Sequence, residues 1–156
     1  MIGKAPRRFV KACHVYCSRI ARRAIVVALY NHAGIFTERE GEAQVCDLDD
    51  VEGLARRIVV ALQDCRYEAP PDHAARWRDD WPAYRASGYR AVRRFTHDFA
   101  RMTVEGTDEA NRSCLIQSPP TPHGGERLAV TVPATAEALG PAVSELYARY
   151  VSARLD

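Results

Sequence analysis

The sequence predicts an α+β domain, a mostly antiparallel sheet of four to five strands packed with amphipathic helices. Three observations carry that expectation. Apolar residues recur at helical spacing in two stretches, Val51 to Cys65 and Leu139 to Val151. Short alternating or β-branched runs lie before the first stretch and between the two. The later runs are joined by short turns and not by crossover helices, which favours antiparallel pairing. The 156 residues, 47% of them apolar and 27% charged, suit a single domain that buries its core without staples.

Residues 1–8 read as a loose arm. Phe9, Lys11, Cys13, Val15 and Cys17 then alternate with Val10, Ala12, His14, Tyr16 and Ser18, a first strand. Ala24 to Tyr30 is β-branched and apolar throughout, as expected of a strand covered on both faces. Asn31 to Gly34 is a turn. One short edge strand is expected next, at Ile35–Thr37 or at Ala43–Cys46, on either side of a charged loop from Glu38 to Glu42.

The clearest helix follows. Asp49 is the expected cap, with Glu52 three residues on in capping-box spacing. Val51, Leu54, Ala55, Ile58, Val59, Leu62 and Cys65 form its apolar stripe, and Glu52, Arg56, Arg57 and Gln63 its outer side. Ala69 to Asp72 ends it, and Asp72 is placed to cap a helical stretch from His73 to Trp81 that stops or kinks at Pro82. A short turn from Tyr84 to Ser87 breaks at Gly88, and a helix spans Tyr89 to Phe99. Three strands are expected at Ala100–Glu105, Arg112–Gln117 and Arg127–Val132, separated by the Gly106–Asp108 turn and a loop from Ser118 to Gly125. Thr135 caps a last helix striped by Leu139, Val143, Leu146, Tyr147, Tyr150 and Val151, which either begins near Gly140 or kinks at Pro141.

Composition excludes several classes of protein. The longest apolar run, Ala24 to Tyr30, is far short of a membrane span, and the basic amino terminus has no apolar core behind it. No membrane partner and no secretory signal are expected. Five cysteines, an odd number of which four lie in apolar segments, suit buried reduced thiols in the cytoplasm better than disulfides. The net charge of +2 is uneven: Met1 to Cys46 holds eight basic and three acidic residues. A nucleic-acid face built from Arg7, Arg8, Lys11, Arg19, Arg22 and Arg23 is the alternative to a solvated arm with a charged strand edge, and the solvated arm is preferred.

Little in the chain points to catalysis. Cys13-His14-x-x-Cys17 with His32 invites a zinc site, but a strand turns Cys13 and His14 to opposite faces, and small buried thiols explain the cysteines better. His97 and Asp98 are adjacent on a helix, about 100° apart, so they are not expected to orient each other as a dyad. Cys46, Cys65 and Cys114 lack a recognisable base, and neither a phosphate loop nor a dinucleotide fingerprint is present. An enzyme would need a pocket gathering His97, His32 or a cysteine with a perturbed acid. No enzyme, cofactor or metal is therefore expected. Trp77, Trp81 and Tyr84 at i, i+4, i+7, beside Arg78, Asp79, Asp80 and Arg85, make either a core stripe or an aromatic and charged binding surface.

From about Ala43 to Tyr150 the chain resembles the immunity proteins of bacterial contact-dependent growth inhibition systems. The resemblance runs through ordered blocks. These are Asp47-Leu-Asp-Asp-Val-Glu-Gly-Leu-Ala-Arg-Arg-Ile-Val-Val-Ala-Leu62 with Asp64-Cys-Arg66; Ser87-Gly-Tyr-Arg-Ala-Val-Arg-Arg-Phe95; Ala100-Arg-Met-Thr-Val104; Pro119-Pro120; and Thr135-Ala-Glu-Ala-Leu-Gly140. Ala91 stands where the family block carries serine, and Pro141 follows the Leu-Gly pair. The resemblance implies a cytoplasmic, non-catalytic protein. Such a protein neutralises the toxin domain at the carboxyl terminus of a large exoprotein, often a nuclease, by covering its active site or its access to substrate. Against a basic nuclease site, acidic residues here would compete with phosphate. Asp79, Asp80, Glu105, Asp108 and Glu109, with Trp77 and Tyr84, are the expected partner-binding residues.

Overall fold

In a computed structural model that describes residues 7–70, 81–122 and 124–155, one antiparallel sheet of seven strands carries four helices. The elements are β1 (Ala12–Ser18), β2 (Arg23–His32), β3 (Ile35–Glu38), β4 (Gln44–Asp47), α1 (Val51–Gln63), α2 (Pro82–Ser87), α3 (Val92–Asp98), β5 (Ala100–Gly106), β6 (Ser113–Pro120), β7 (Arg127–Pro133) and α4 (Ala136–Leu155). Strand order is β3-β2-β1-β5-β6-β7, with β4 also on β2. None of the described helices is long and apolar enough to cross a membrane.

The sheet has more strands than expected because both candidate edge strands form. β2 is ten residues long, so β4 pairs with its first half (Arg23 to Val26) and β3 with its second (Leu29 to His32). The segment placed in a charged loop therefore begins inside the sheet, and Glu38 and Arg39 are buried. β6 also runs further than expected, through Pro119 and Pro120. Its register slips after Gln117, where the prolines cannot donate to the ladder, and Leu128 N–H donates instead to the buried Ser118 hydroxyl at 2.9 Å.

One face of the sheet is dry. Cys13, Val15, Cys17, Ala24, Val26, Met102, Val104, Cys114 and Ile116 meet Leu54, Ile58 and Leu62 of α1 and Leu139, Val143, Leu146 and Tyr147 of α4. Each fully buried leucine or isoleucine contributes about 1.5–3 kcal/mol. α1 is capped one residue later than expected: Asp50 accepts from Gly53 N–H at 2.9 Å, so Glu52 is no longer three residues past the cap and the capping box does not form. α4 passes through Pro141 and begins ahead of Gly140. Gly140 is there for contact, since a Cβ on it would stand 2.7 Å from Ala55 Cβ and 2.8 Å from Val51 O. α1 and α4 meet backbone to backbone at that point.

Among the described residues, helices cover the other face over half its width. α2 and α3 lie on Tyr16, Ile25 and Val27, while the β5–β6–β7 half presents Arg101, Thr103, Glu105, Leu115 and Gln117, all exposed or half-buried. Pro82 opens α2: it occupies the first turn, where its missing N–H has no helical partner to lose. Gly88 ends α2 at φ +73°, and α3 is shorter than the Tyr89–Phe99 span expected. The expected helix over His73–Trp81 lies largely outside the described residues.

Candidate functional site

β1 and the start of α2 converge on Glu38, at the end of β3. Its side chain is 7% exposed. Oε2 receives Tyr16 O–H, pairs with His14 Nδ1 at 3.0 Å and accepts from Trp81 Nε1–H at 3.1 Å. Oε1 accepts from Ala83 N–H at 3.1 Å. Burial alone would push this carboxyl up, but the contacts from His14, Tyr16 and Trp81 outweigh it and hold Glu38 below its ordinary range. The same arrangement drives Tyr16 far up, first through burial and then through the adjacent Glu38 charge. Trp81 gives α2 no side-chain cap, so Glu38, reaching from the sheet, satisfies one of its orphan amides. At the other end Arg23 Nη1 donates to Ser87 O at 3.0 Å. An acid at the start and a cation at the end complement the helix dipole.

Above this clamp the aromatic rings close into one cluster. Phe95 is fully buried, with the rings of Trp81 (5.0 Å), Phe99 (5.1 Å), Tyr16 (5.5 Å) and Tyr84 (5.6 Å) around it. Tyr84 is half-buried in that cluster, at the rim of the covered half-face. Trp77, Asp79 and Asp80 lie outside the described residues.

Glu105, Asp108 and Glu109 do come together, at the end of β5 and in the turn to β6. The turn is stiffly built. Asp108 Oδ1 accepts from Ala110 N–H at 3.0 Å, Thr107 and Ser113 hydroxyls meet at 2.6 Å, and Asn111 sits at φ +53°. Asn111 also ties the turn to the amino-terminal segment: its Oδ1 accepts from Lys11 N–H at 2.8 Å and its Nδ2 donates to Phe9 O at 2.9 Å. Asp108 and Glu109 thus stand exposed on a fixed backbone, and Glu105 faces the uncovered half of the sheet. Beside the turn is a cleft of about 460 Å³ in which Glu109 faces Arg7, Arg8 and Lys11.

The basic residues of the first third do not form one patch. Arg7, Arg8 and Lys11 lie at the start of β1, and Arg19, Arg22 and Arg23 beyond its far end. Three are already engaged: Arg7 lies 4.2 Å over the Tyr67 ring, Arg22 pairs with Asp49 at 3.6 Å, and Arg23 holds α2. The cysteines give no activated thiol. All five are buried, burial pushes each upward, and Cys17 reaches about 12. Cys13 and Cys17 face α1 and α4, whereas His14 faces Glu38 on the opposite side. Among the described residues no group of three or more His, Cys, Asp or Glu could hold a metal ion.

His97 and Asp98 depart from expectation, because they do meet, Nδ1 to Oδ1 at 2.9 Å. The 100° separation applies inside a helix, and Asp98 is the last residue of α3 with extended backbone after it. Asp98 also accepts from Tyr89 O–H at 2.8 Å and lies 3.7 Å from Arg94 Nε. Contacts first from His97 and then from Tyr89 hold its carboxyl below the ordinary range. The Glu38 clamp was not visible in the sequence: an acidic residue beside Arg39, Glu40 and Glu42 reads as loop, and only the alternation of His14 and Tyr16 on one face of β1 hinted at a polar site.

An antiparallel sheet with two helices packed along one face and a clamped helical pair over half of the other defines the class of fold. The chain matches no protein-family model and no curated protein. Its fold is similar to a solved structure described as a protein of unknown function from Neisseria meningitidis, with a TM-score of 0.71 at 14% identity over 94% of this chain and 98% of that one. At that identity the likeness concerns the fold alone.

Proposed function

We propose that this protein is an immunity protein of a contact-dependent growth inhibition system. It binds the carboxyl-terminal toxin domain of a cognate exoprotein, a nuclease, in the cytoplasm, and neutralises it by occlusion, without catalysis of its own. The resemblance of the sequence blocks supplies the class. The observation that carries the reading is the stiff Thr107–Asn111 turn, which holds Asp108 and Glu109 exposed beside Glu105 and next to a half-face of sheet that none of the described helices covers. Acidic groups held on a fixed backbone bind a basic surface without an ordering penalty and mimic the phosphates that a nuclease grips.

The test is a titration of the purified protein against the toxin domain encoded immediately upstream of its gene, with toxin activity as a second readout. One-to-one binding that abolishes activity is expected. Single charge reversals at Glu105, Asp108 and Glu109, and at Asp79 and Asp80, should each weaken affinity, about tenfold or more at the strongest positions. Unchanged affinity throughout removes this surface from the interface, and no binding by folded partners removes the reading itself.

A further inference from the structure

A second cleft, of about 280 Å³, lies at the opposite end of β5 from Glu105. Three arginines reach it from three elements: Arg101 near the start of β5, Arg127 from the first position of β7, and Arg154 from the last turn of α4. All three are exposed. Among the described residues no aspartate or glutamate lines the cleft, and none pairs with any of the three guanidinium groups. Arg127 has one long contact to Ser118 O at 3.5 Å, and Arg154 leans over the Tyr150 ring at 5.8 Å. Three like charges are thus gathered in one small concavity, whereas Glu38 and Asp98 are already saturated elsewhere.

We propose that this cleft binds a phosphate joined through a sugar to a planar base, that is, one mononucleotide unit. The phosphate lies among Arg101, Arg127 and Arg154, and the ring lies against Trp81 and the Pro119–Pro120 edge. Two arguments select this chemistry. A phosphomonoester carries about −1.5 to −2 charges at neutral pH and offers three acceptor oxygens, against one charge for a carboxylate, so it answers three guanidinium groups more fully. The open part of the remaining lining includes the half-buried Trp81 ring, Pro119 and the exposed Pro120, apolar surface that inorganic phosphate would leave wet and that a base covers by stacking. The volume lies at the low end of ligand pockets, roughly 300–1,000 Å³, so the cleft suits a single nucleotide and not a dinucleotide cofactor. The unit comes either from a free nucleotide or from the 5′-phosphorylated end of a single strand, the strand position that carries a phosphomonoester.

The experiment is an NMR titration of the full chain with uridine monophosphate and, separately, with inorganic phosphate, following arginine Nε–H and tryptophan indole signals. Uridine monophosphate should shift the Trp81 indole and the three arginine signals and bind at least about tenfold more tightly than phosphate, the effect of one stacked base. Arg101→Gln combined with Arg127→Gln should weaken binding by about tenfold or more, and the exposed Arg90→Gln should leave it unchanged. An oligouridylate of about eight residues bearing a 5′ phosphate separates the sources. Tighter, salt-sensitive binding marks a strand, and binding no tighter than the monophosphate marks a free nucleotide. Equal affinity for phosphate and nucleotide, an unchanged double variant, shifts elsewhere, or oligoglutamate that binds more tightly than the nucleotide would each overturn the assignment. None of these readouts involves the toxin, so the result stands apart from the immunity reading.

Discussion

The two faces of the sheet are held by different physics. Under α1 and α4 the contact is apolar and spread over more than a dozen side chains, with one close backbone approach at Gly140. Under α2 and α3 a single carboxylate gathers His14, Tyr16, Trp81 and Ala83 N–H, and the rings close above it. Area burial is tolerant and non-directional, whereas a buried charge requires every partner in place. The first face can lose a methyl group and relax; the second has one residue on which the placement of α2 depends.

Three variants probe that contrast, from the largest effect to the smallest. Phe95→Ala removes the ring on which the other aromatics converge and should cost about 3–5 kcal/mol in urea unfolding. Its effect should be the same at pH 7 and pH 4, because no titrating group is removed; a strong pH dependence would show that the rings act mainly by shielding Glu38. Glu38→Gln should cost about 2–3 kcal/mol at pH 7, where His14, Tyr16, Trp81 and Ala83 N–H lose their charged partner. Because the folded state holds Glu38 below its ordinary range, its contribution is complete above the ordinary glutamate value of about 4.3 and is lost as pH falls through the lower folded value. The gap between the Gln variant and the native protein should therefore close in acid, and a constant gap would contradict the clamp. Gly140→Ala gains about 1 kcal/mol of helix propensity but forces α4 off Ala55 and Val51, for a net loss of about 1–2 kcal/mol seen in thermal unfolding. A more stable variant would mean that the two helices separate easily.

The same contrast explains what could be read from the sequence. The dry face was legible: α1 occupies Val51–Gln63 with Leu54, Ile58 and Leu62 inward, α4 carries Leu139, Val143 and Leu146 inward, and β1, β2, β5, β6 and β7 form where strands were expected, although Cys65 falls past the end of α1, β2 takes in Asn31 and His32 of the expected turn, and β6 runs on to Pro120. Periodicity reports burial against a plane, and that is all this face needs. The clamp was not legible, because Glu38 meets partners 24, 22 and 43 residues away and sits in a charged run. Directional contacts leave no period. Of the candidate surface, Glu105, Asp108 and Glu109 were placed together because a single turn joins them, whereas Tyr84 was separated from them by the fold.

The strand order has a consequence for how the chain is made. β1 lies in the interior of the finished sheet, paired with β2 on one side and β5 on the other. During synthesis β2 follows it at once, but β5 begins only at Ala100, so throughout that interval β1 presents an unpaired edge rich in Cys, Val and Tyr. Such an edge is a template for pairing with another chain, and its closure must wait for a contact distant in sequence. A ribosome-bound chain released before β5 should therefore self-associate, and mutations that delay β5 should lower yield through aggregation rather than through the stability of the finished fold.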